Sequence, residues 1–508
     1  MIIEKEVHKC KKVRFHWLIW TLFVFFIMIL CNGSSPVVGG RKTDSSVFFA
    51  IGRAMASGKV PYRDLFDHKG WYLYLFNYLG AMITSHSTAG LFIVEYIFML
   101  VNALLFYRMA ILIKGDRTGF LYADTAVAVG LLFTLNGITY QYGNFAETYG
   151  LTFQLISVFL ILKYFGSSGK THPPVYMLIH GICVAVMLGL RANLVVMWVP
   201  VGVLLIVYLL MEREFQNAIF NIVAGITGLL LGAMPELIYC VVTHSLEDMI
   251  QQSFLFNLSY ASGGQSVLRK MTDMLLYRRT IWLIVLLAVS AFIVLKSTKV
   301  PVKFKILYIA GLLFSLYSVA LSGRNYGHYY EYLLPFILPV VLVVSEKISR
   351  ILSEKKIYFR YLAVIFWLFL TILCNISIAA RLFLHTDSQK YAEATDELAR
   401  LYKEKYSDLK NVLAVNNNAT IYNKFDVLPQ EKYFYIPAVS YKKFPEPIDS
   451  QAASILSGKN DVVILVCDNY KKKRIFQTSR YDKQIIEYLA EEYTMVCEKN
   501  HIQMYVKN

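Results

Sequence analysis

About eleven stretches of this 508-residue chain are apolar almost without interruption, each close to the ~20 residues a helix needs to cross a bilayer. They lie at 15–32, 89–113, 119–136, 146–164, 174–190, 193–211, 218–243, 280–296, 305–321, 329–345 and 360–380. In lipid only a helix or a closed barrel satisfies its own backbone, so the pattern predicts a polytopic all-α membrane protein. The pair 174–190 and 193–211 is short enough to form one kinked helix instead of two. Composition agrees: 56% of residues are hydrophobic, 17% are charged and the mean hydropathy is +0.47. That much apolar surface could not all be hidden from water in a soluble fold.

Charge then orients the spans. Lys5, Lys9, Lys11, Lys12 and Arg14 precede the first one, which has no small-residue cleavage site after it and therefore reads as an uncleaved helix with a cytoplasmic N-terminus. Alternation puts Lys114/Arg117, Lys163/Lys170, Arg213, Lys296 to Lys305 and Lys347 to Arg360 on the cytoplasmic side, as the positive-inside rule requires. The net charge of +16 is thus a topology signal, and no nucleic-acid partner is expected. An odd number of crossings in a cell membrane leaves the C-terminal segment extracytoplasmic. The seven cysteines show no CxxC or metal-ligand spacing, which argues against thiolate metal binding. Cys467 and Cys497 would pair only in an oxidising compartment.

After residue 380 the pattern changes. A helix at 388–405, strands at 411–415 and 461–466, a helix at 480–492 and strands at 493–498 and 502–506 predict an α/β domain over 381–508. It has no glycine-rich phosphate loop. Domain 1–380 carries two outer loops, 33–88 and 244–279. The second is either a lid or a connector. The first crowds Asp44, Asp64, Asp67, His68 and six basic residues into positions 41–70, a costly density beside lipid unless it is used. A surface helix starting near Asp44 is expected within it, and the aromatic run at 71–79 either lies at the membrane surface or starts the second span.

Sorting polar residues by side gathers Asp44, Asp64, Asp67, His68, Lys69, Asn144, Glu147, Arg191, Asn193, Arg324, Asn325, Tyr326, His328 and Tyr329 on the outer face, where one outward cavity would use them. Each has a plainer reading: cations snorkel, Asp44 and Asn144 make good N-caps, and the Tyr326 to Tyr332 run suits an aromatic belt. Outer cations run against the topology bias, which favours a use for them. Glu95, His180 and Glu236 fall inside spans and suit helix-to-helix polar contacts.

These residues, in this order, resemble the GT-C class of membrane glycosyltransferases, which includes protein O-mannosyltransferases and lipid A aminoarabinose transferases. Asp44 matches the acidic position after span one, Lys69-Gly70 matches the lysine turn, and Pro61 to Gly70 looks like a bacterial subgroup. Arg324-x-Tyr-x-His-Tyr-Tyr with Pro335 resembles its second motif. Ser45 in place of a second acid and Trp71 in place of proline depart from the pattern. The resemblance covers roughly 15–345 and implies a GT-C-like fold and sugar transfer from a polyprenyl-phosphate donor on the outer face. The acceptor would be an envelope glycan, lipid or protein, and membrane lipid the surroundings. It implies Asp44 as general base and Lys69, Arg324 and His328 as holders of the lipid phosphate. Asp67, His68, Glu147, Arg191, Tyr326 and Tyr329 would line the substrate site. No cofactor is certain; assistance by a divalent metal stays open. A lipid-linked saccharide flippase, an oligosaccharide polymerase and an inactive scaffold are the alternatives.

Overall fold

A computed structural model describes residues 2–38, 44–114, 119–167, 169–261, 266–353, 366, 369, 387–416, 419–466 and 474–508. The apolar runs become α1 (Ile2–Cys31), α4 (Ala89–Lys114), α5 (Gly119–Thr134), α6 (Ala146–Phe165), α7 (Pro174–Leu188), α8 (Trp198–Met211), α9 (Phe215–Val242), α13 (Ile281–Lys296), α14 (Val302–Leu321) and α15 (Leu338–Ser353). Between α1 and α4 lie α2 (Asp44–Ala56) and α3 (Trp71–Ile83); between α9 and α13 lie α10 (Leu246–Met249), α11 (Phe256–Ala261) and α12 (Val267–Leu275). The C-terminal part holds α16 (Asp387–Lys405), β1 (Val412–Ala414), α17 (Thr420–Phe425), α18 (Glu446–Leu456), β2 (Val462–Val466), α19 (Asp482–Glu492), β3 (Tyr493–Lys499) and β4 (Ile502–Lys507).

Ten of the expected spans thus stand as helices; the eleventh, 360–380, lies outside the described residues apart from Phe366 and Phe369. The region 174–211 is two helices, because α7 ends at Gly189 and the chain restarts through a 3-10 turn at Ala192–Met197. Among the described residues, six helical segments are long and apolar enough to cross a membrane, among them α4, α6, α9 and α14. The rest are shorter apolar helices.

Contacts divide the chain into two units. One comprises Met1–Val38, Ile93–Pro235 and Gly263–Ala379; the other comprises Gly39–Phe92, Glu236–Ser262 and Ala380–Asn508.

Lipid is as apolar as leucine, so close backbone approach and polar bridges must hold helices together in the first unit. A Cβ on Gly228 of α9 would lie 2.0 Å from the Leu178 carbonyl oxygen of α7, and one on Gly181 of α7 would lie 2.2 Å from the Gly225 carbonyl oxygen. Hydrogen bonds from Trp198 to Ser157 (2.8 Å), Thr152 to Asn102 (2.7 Å) and Trp20 to Asp124 (2.9 Å) tie other pairs. Gly228→Val forces α7 and α9 apart and is expected to lower unfolding stability by about 3 kcal/mol or more; an unchanged thermal midpoint in detergent would refute this packing. The termini that the positive-inside rule assigns to one side meet there: Lys303 pairs with Glu212, and Lys114 with Glu346.

In the second unit α2 lies against α3, where a Cβ on Gly52 would come within 2.5 Å of the Asn77 carbonyl carbon. The sheet has the order β1-β2-β4-β3, with β1 and β2 parallel and the other pairs antiparallel. A parallel pair requires a crossover, which α17 and α18 supply. Leu413, Val463, Leu465, Ile455, Ile485 and Phe476 form its core. Strands and the two outer helices fall where the sequence predicts them. The helices α17 and α18 are additional, being short and rich in polar residues. The proposed partner of Cys497, Cys467, lies outside the described residues.

Candidate functional site

In the second unit, α2 buries Val47 to Ala54 and leaves the Asp44 carboxylate exposed at its first turn, the favourable end for an anion. The chain then makes a closed turn. Tyr62 adopts φ 68°, the Asp64 carboxylate accepts from the Val60 N–H at 2.7 Å, and Arg63 donates to Asp64 and to the Thr243 carbonyl. Asp64 therefore closes a turn.

The next three residues form a chain of contacts. The Asp67 carboxylate is buried and accepts from the His68 N–H (2.7 Å), the Tyr74 hydroxyl (2.8 Å) and the Tyr435 hydroxyl. The His68 Nδ1 lies 3.2 Å from the same carboxylate, and its Nε2 lies 2.8 Å from the Lys69 ammonium. An ammonium has only protons to offer, so Nε2 is the acceptor and the imidazole proton sits on Nδ1, facing Asp67. Lys69 also lies 5.8 Å over the Phe48 ring, one turn along α2 from Asp44. Asp44 acts electrostatically on both His68 and Tyr435. Asn257 and Ser253 hold the His68 and Lys69 carbonyls at 2.7 and 3.0 Å.

Burial opposes ionisation of Asp67, but the hydrogen bond from His68, the Lys69 charge and the Tyr435 hydroxyl outweigh it and hold the carboxyl well below its usual range. Burial and the adjacent ammonium push His68 below its ordinary value, so it is neutral at pH 7. A depressed carboxyl pKa stabilises the fold above the unfolded value near 3.8, and this contribution is lost as pH falls through the lower folded value. Asp67→Asn should accordingly flatten the acid-side loss of thermal stability between about pH 5 and about pH 2. Equal losses in the two proteins would contradict it.

The first unit gathers the other sequence candidates. Gln141, Tyr142, Gly143 and Asn144 all have positive φ, at 44°, 83°, 81° and 57°, a run of strained backbone of the kind held at functional sites. It delivers Glu147 to the first turn of α6, where the carboxylate pairs with Arg191. The Arg191 guanidinium stacks 3.9 Å over the Tyr329 ring. Its pKa is raised, since Tyr329 and Glu147 outweigh the opposing effect of burial. His328 stacks on Phe145 (4.2 Å) and Tyr326 (5.8 Å), and its Nδ1 lies 3.1 Å from the Gln141 Oε1. Arg324 donates to the Tyr326 hydroxyl at 2.9 Å. Asn193 instead bonds the Ser318 carbonyl.

Three carboxylates inside spans make polar contacts. Glu95 accepts from Ser34 at 2.7 Å, Glu236 accepts from the Trp71 N–H at the start of α3, and buried Glu331 accepts from Thr148 at 2.9 Å. The His180 ring nitrogens have no partner among the described residues. No three His, Cys, Asp or Glu side chains converge as metal ligands among the described residues. Sequence reasoning missed Tyr62, Tyr74, Gln141 and Tyr435: hydroxyls and amides carry no spacing signal, and Tyr435 stands 368 positions from its carboxylate.

No curated protein matches the sequence. Among solved structures, ArnT from Cupriavidus metallidurans bound to undecaprenyl phosphate aligns with a TM-score of 0.63 at 11% identity, covering 97% of this chain and 98% of that one. The same protein in the apo state gives 0.62 at 9% identity, with the same coverage. The likeness is one of fold, and the chain has the GT-C-like architecture that its sequence resembles. The family model described as "Putative competence-induced protein Ccs4 N-terminal domain" matches residues 3–378. With well over half of its length inside that match, the chain belongs to the Ccs4 N-terminal domain family.

Proposed function

We propose that this protein is a membrane glycosyltransferase that moves a sugar from a polyprenyl-phosphate donor to a cell-envelope acceptor on the outer face. The N-terminus would be cytoplasmic and the C-terminal domain extracytoplasmic. The observation that carries the reading is an exposed carboxylate on the first turn of α2, one turn from the Phe48 ring over which an ammonium lies. That ammonium is steadied by a neutral imidazole. A base for an incoming hydroxyl and a cation for a departing phosphate are the two groups the reaction needs. The fold supports the reading, since ArnT, which shares it, was solved with undecaprenyl phosphate bound.

In the reaction, Asp44 takes the proton of the acceptor hydroxyl as its oxygen bonds to the anomeric carbon. The bond from that carbon to the phosphate oxygen breaks, and polyprenyl phosphate leaves with the electron pair. Lys69 offsets the charge that grows on the phosphate. Because a phosphate ester leaves readily, one carboxylate suffices where a glycosidase uses two. Glu147 and Arg191 neutralise one another and hold Tyr329 in place. Mass spectrometry of envelope glycans from cells with and without the gene tests the reading: a missing sugar supports it, and identical glycans contradict it.

A further inference from the structure

The C-terminal domain meets the loop that carries Asp67 through α17 and the segment that follows it. Between α17 and α18 the chain runs along the turn that carries Asp67: the Phe66 N–H donates to the Lys432 carbonyl at 2.8 Å, and Lys59 donates to the Pro429 carbonyl at 2.7 Å. The Phe66 ring lies 5.2 Å from both Tyr433 and Phe444 and 5.6 Å from Phe256. Arg53, buried in α2, donates to the Tyr422 carbonyl at 2.9 Å and pairs with Asp426. Lys432 pairs with Asp248 at 3.0 Å. So anchored, the segment places the buried Tyr435 hydroxyl on Asp67.

We infer that Tyr435 is a positioning residue, by which the C-terminal domain fixes Asp67, through it the His68 tautomer, and so the Lys69 ammonium for phosphate; this rests on the function proposed above. The logic is one of donors and acceptors. Asp67 must stay ionised at Oδ1, the oxygen that faces Nδ1 at 3.2 Å, to favour the imidazole proton on Nδ1, and only then does Nε2 present a lone pair to Lys69. With the Tyr435 donor removed, Asp67 oxygen Oδ1 loses one of its partners, its basicity rises, and the carboxylate is free to turn or to take up a proton. A protonated Asp67 no longer holds the tautomer, and Lys69 loses its anchor. The titratable groups facing this carboxylate are His68, Lys69, Tyr62, Tyr74 and Tyr435, with Asp44 acting on His68 and Tyr435.

The test uses the purified full-length protein and undecaprenyl phosphate as the probe, with binding measured across pH. Tyr435→Phe is expected to weaken binding about tenfold at neutral pH, the size of one hydrogen bond to a charged group, and to move the acid limb of the binding profile upward. In an Asp67→Asn background the same substitution should add no further loss, because both changes break one relay. A ring-fluorinated tyrosine in place of Tyr435 keeps shape and hydroxyl while making the donor more acidic, and should move the acid limb downward. Wild-type affinity and pH profile in Tyr435→Phe, equal losses in both backgrounds, or no shift with the fluorinated ring would each overturn the inference. Failure of the wild type to bind, or full binding by Lys69→Ala, would instead overturn the functional reading beneath it.

Discussion

Asp44→Asn protein should insert and fold as the wild type does while transferring sugar about a thousandfold more slowly, the middle of the range for losing a general base. The two halves of that expectation have separate reasons. An exposed side chain at the first turn of α2 makes little packing, and asparagine has nearly the same size and shape as aspartate. Asparagine cannot accept a proton at neutral pH, so only the chemical step suffers. Binding of undecaprenyl phosphate should be retained, which separates this variant from one that merely disturbs the loop. Near-normal transfer would remove Asp44 from the mechanism.

Lys69→Ala should have the complementary signature. The ammonium makes no salt bridge with a carboxylate among the described residues, and its hydrogen bond runs to a neutral imidazole, so its charge is available to a ligand. Removing a charged donor from a phosphate costs about 1.5–3 kcal/mol, and affinity for undecaprenyl phosphate should fall by roughly ten- to a hundredfold. Lys69→Arg should recover little of this: a planar fork cannot keep the point contact with His68 Nε2 and present the same charge outward. Unchanged affinity in Lys69→Ala would contradict the phosphate role, whatever happened to the rate.

What could be read from the sequence divides by the range of the interaction. Ten spans, the surface helix at Asp44 and the strands of the C-terminal sheet rest on local periodicity, and the structure has them all. Lysine and arginine sort the span ends into two groups, and members of one group meet: Lys303 pairs with Glu212, and Glu147 pairs with Arg191, which stacks on Tyr329. Asp67 is different. Its position in a charge-rich loop suggested a ligand-facing acid, whereas it is buried with Tyr74 and Tyr435 on its oxygens, information no local window contains. The same holds for the gathering of residues 39–92 with residues 380–508 in one unit. A charge run and a distant α/β domain gave no sign that Arg53 would find the Tyr422 carbonyl or that Phe66 would pack among Tyr433, Phe444 and Phe256. Asp64, equally acidic in sequence, is spent on the Val60 N–H.

Envelope glycans from cells lacking the gene, complemented either with the wild-type chain or with Asp44→Asn at equal protein level, bear most directly on whether the Asp44 carboxylate takes part in sugar transfer. The wild type should restore one sugar addition that the variant fails to restore, even though the variant still binds undecaprenyl phosphate. Restoration of that sugar by Asp44→Asn would contradict the account.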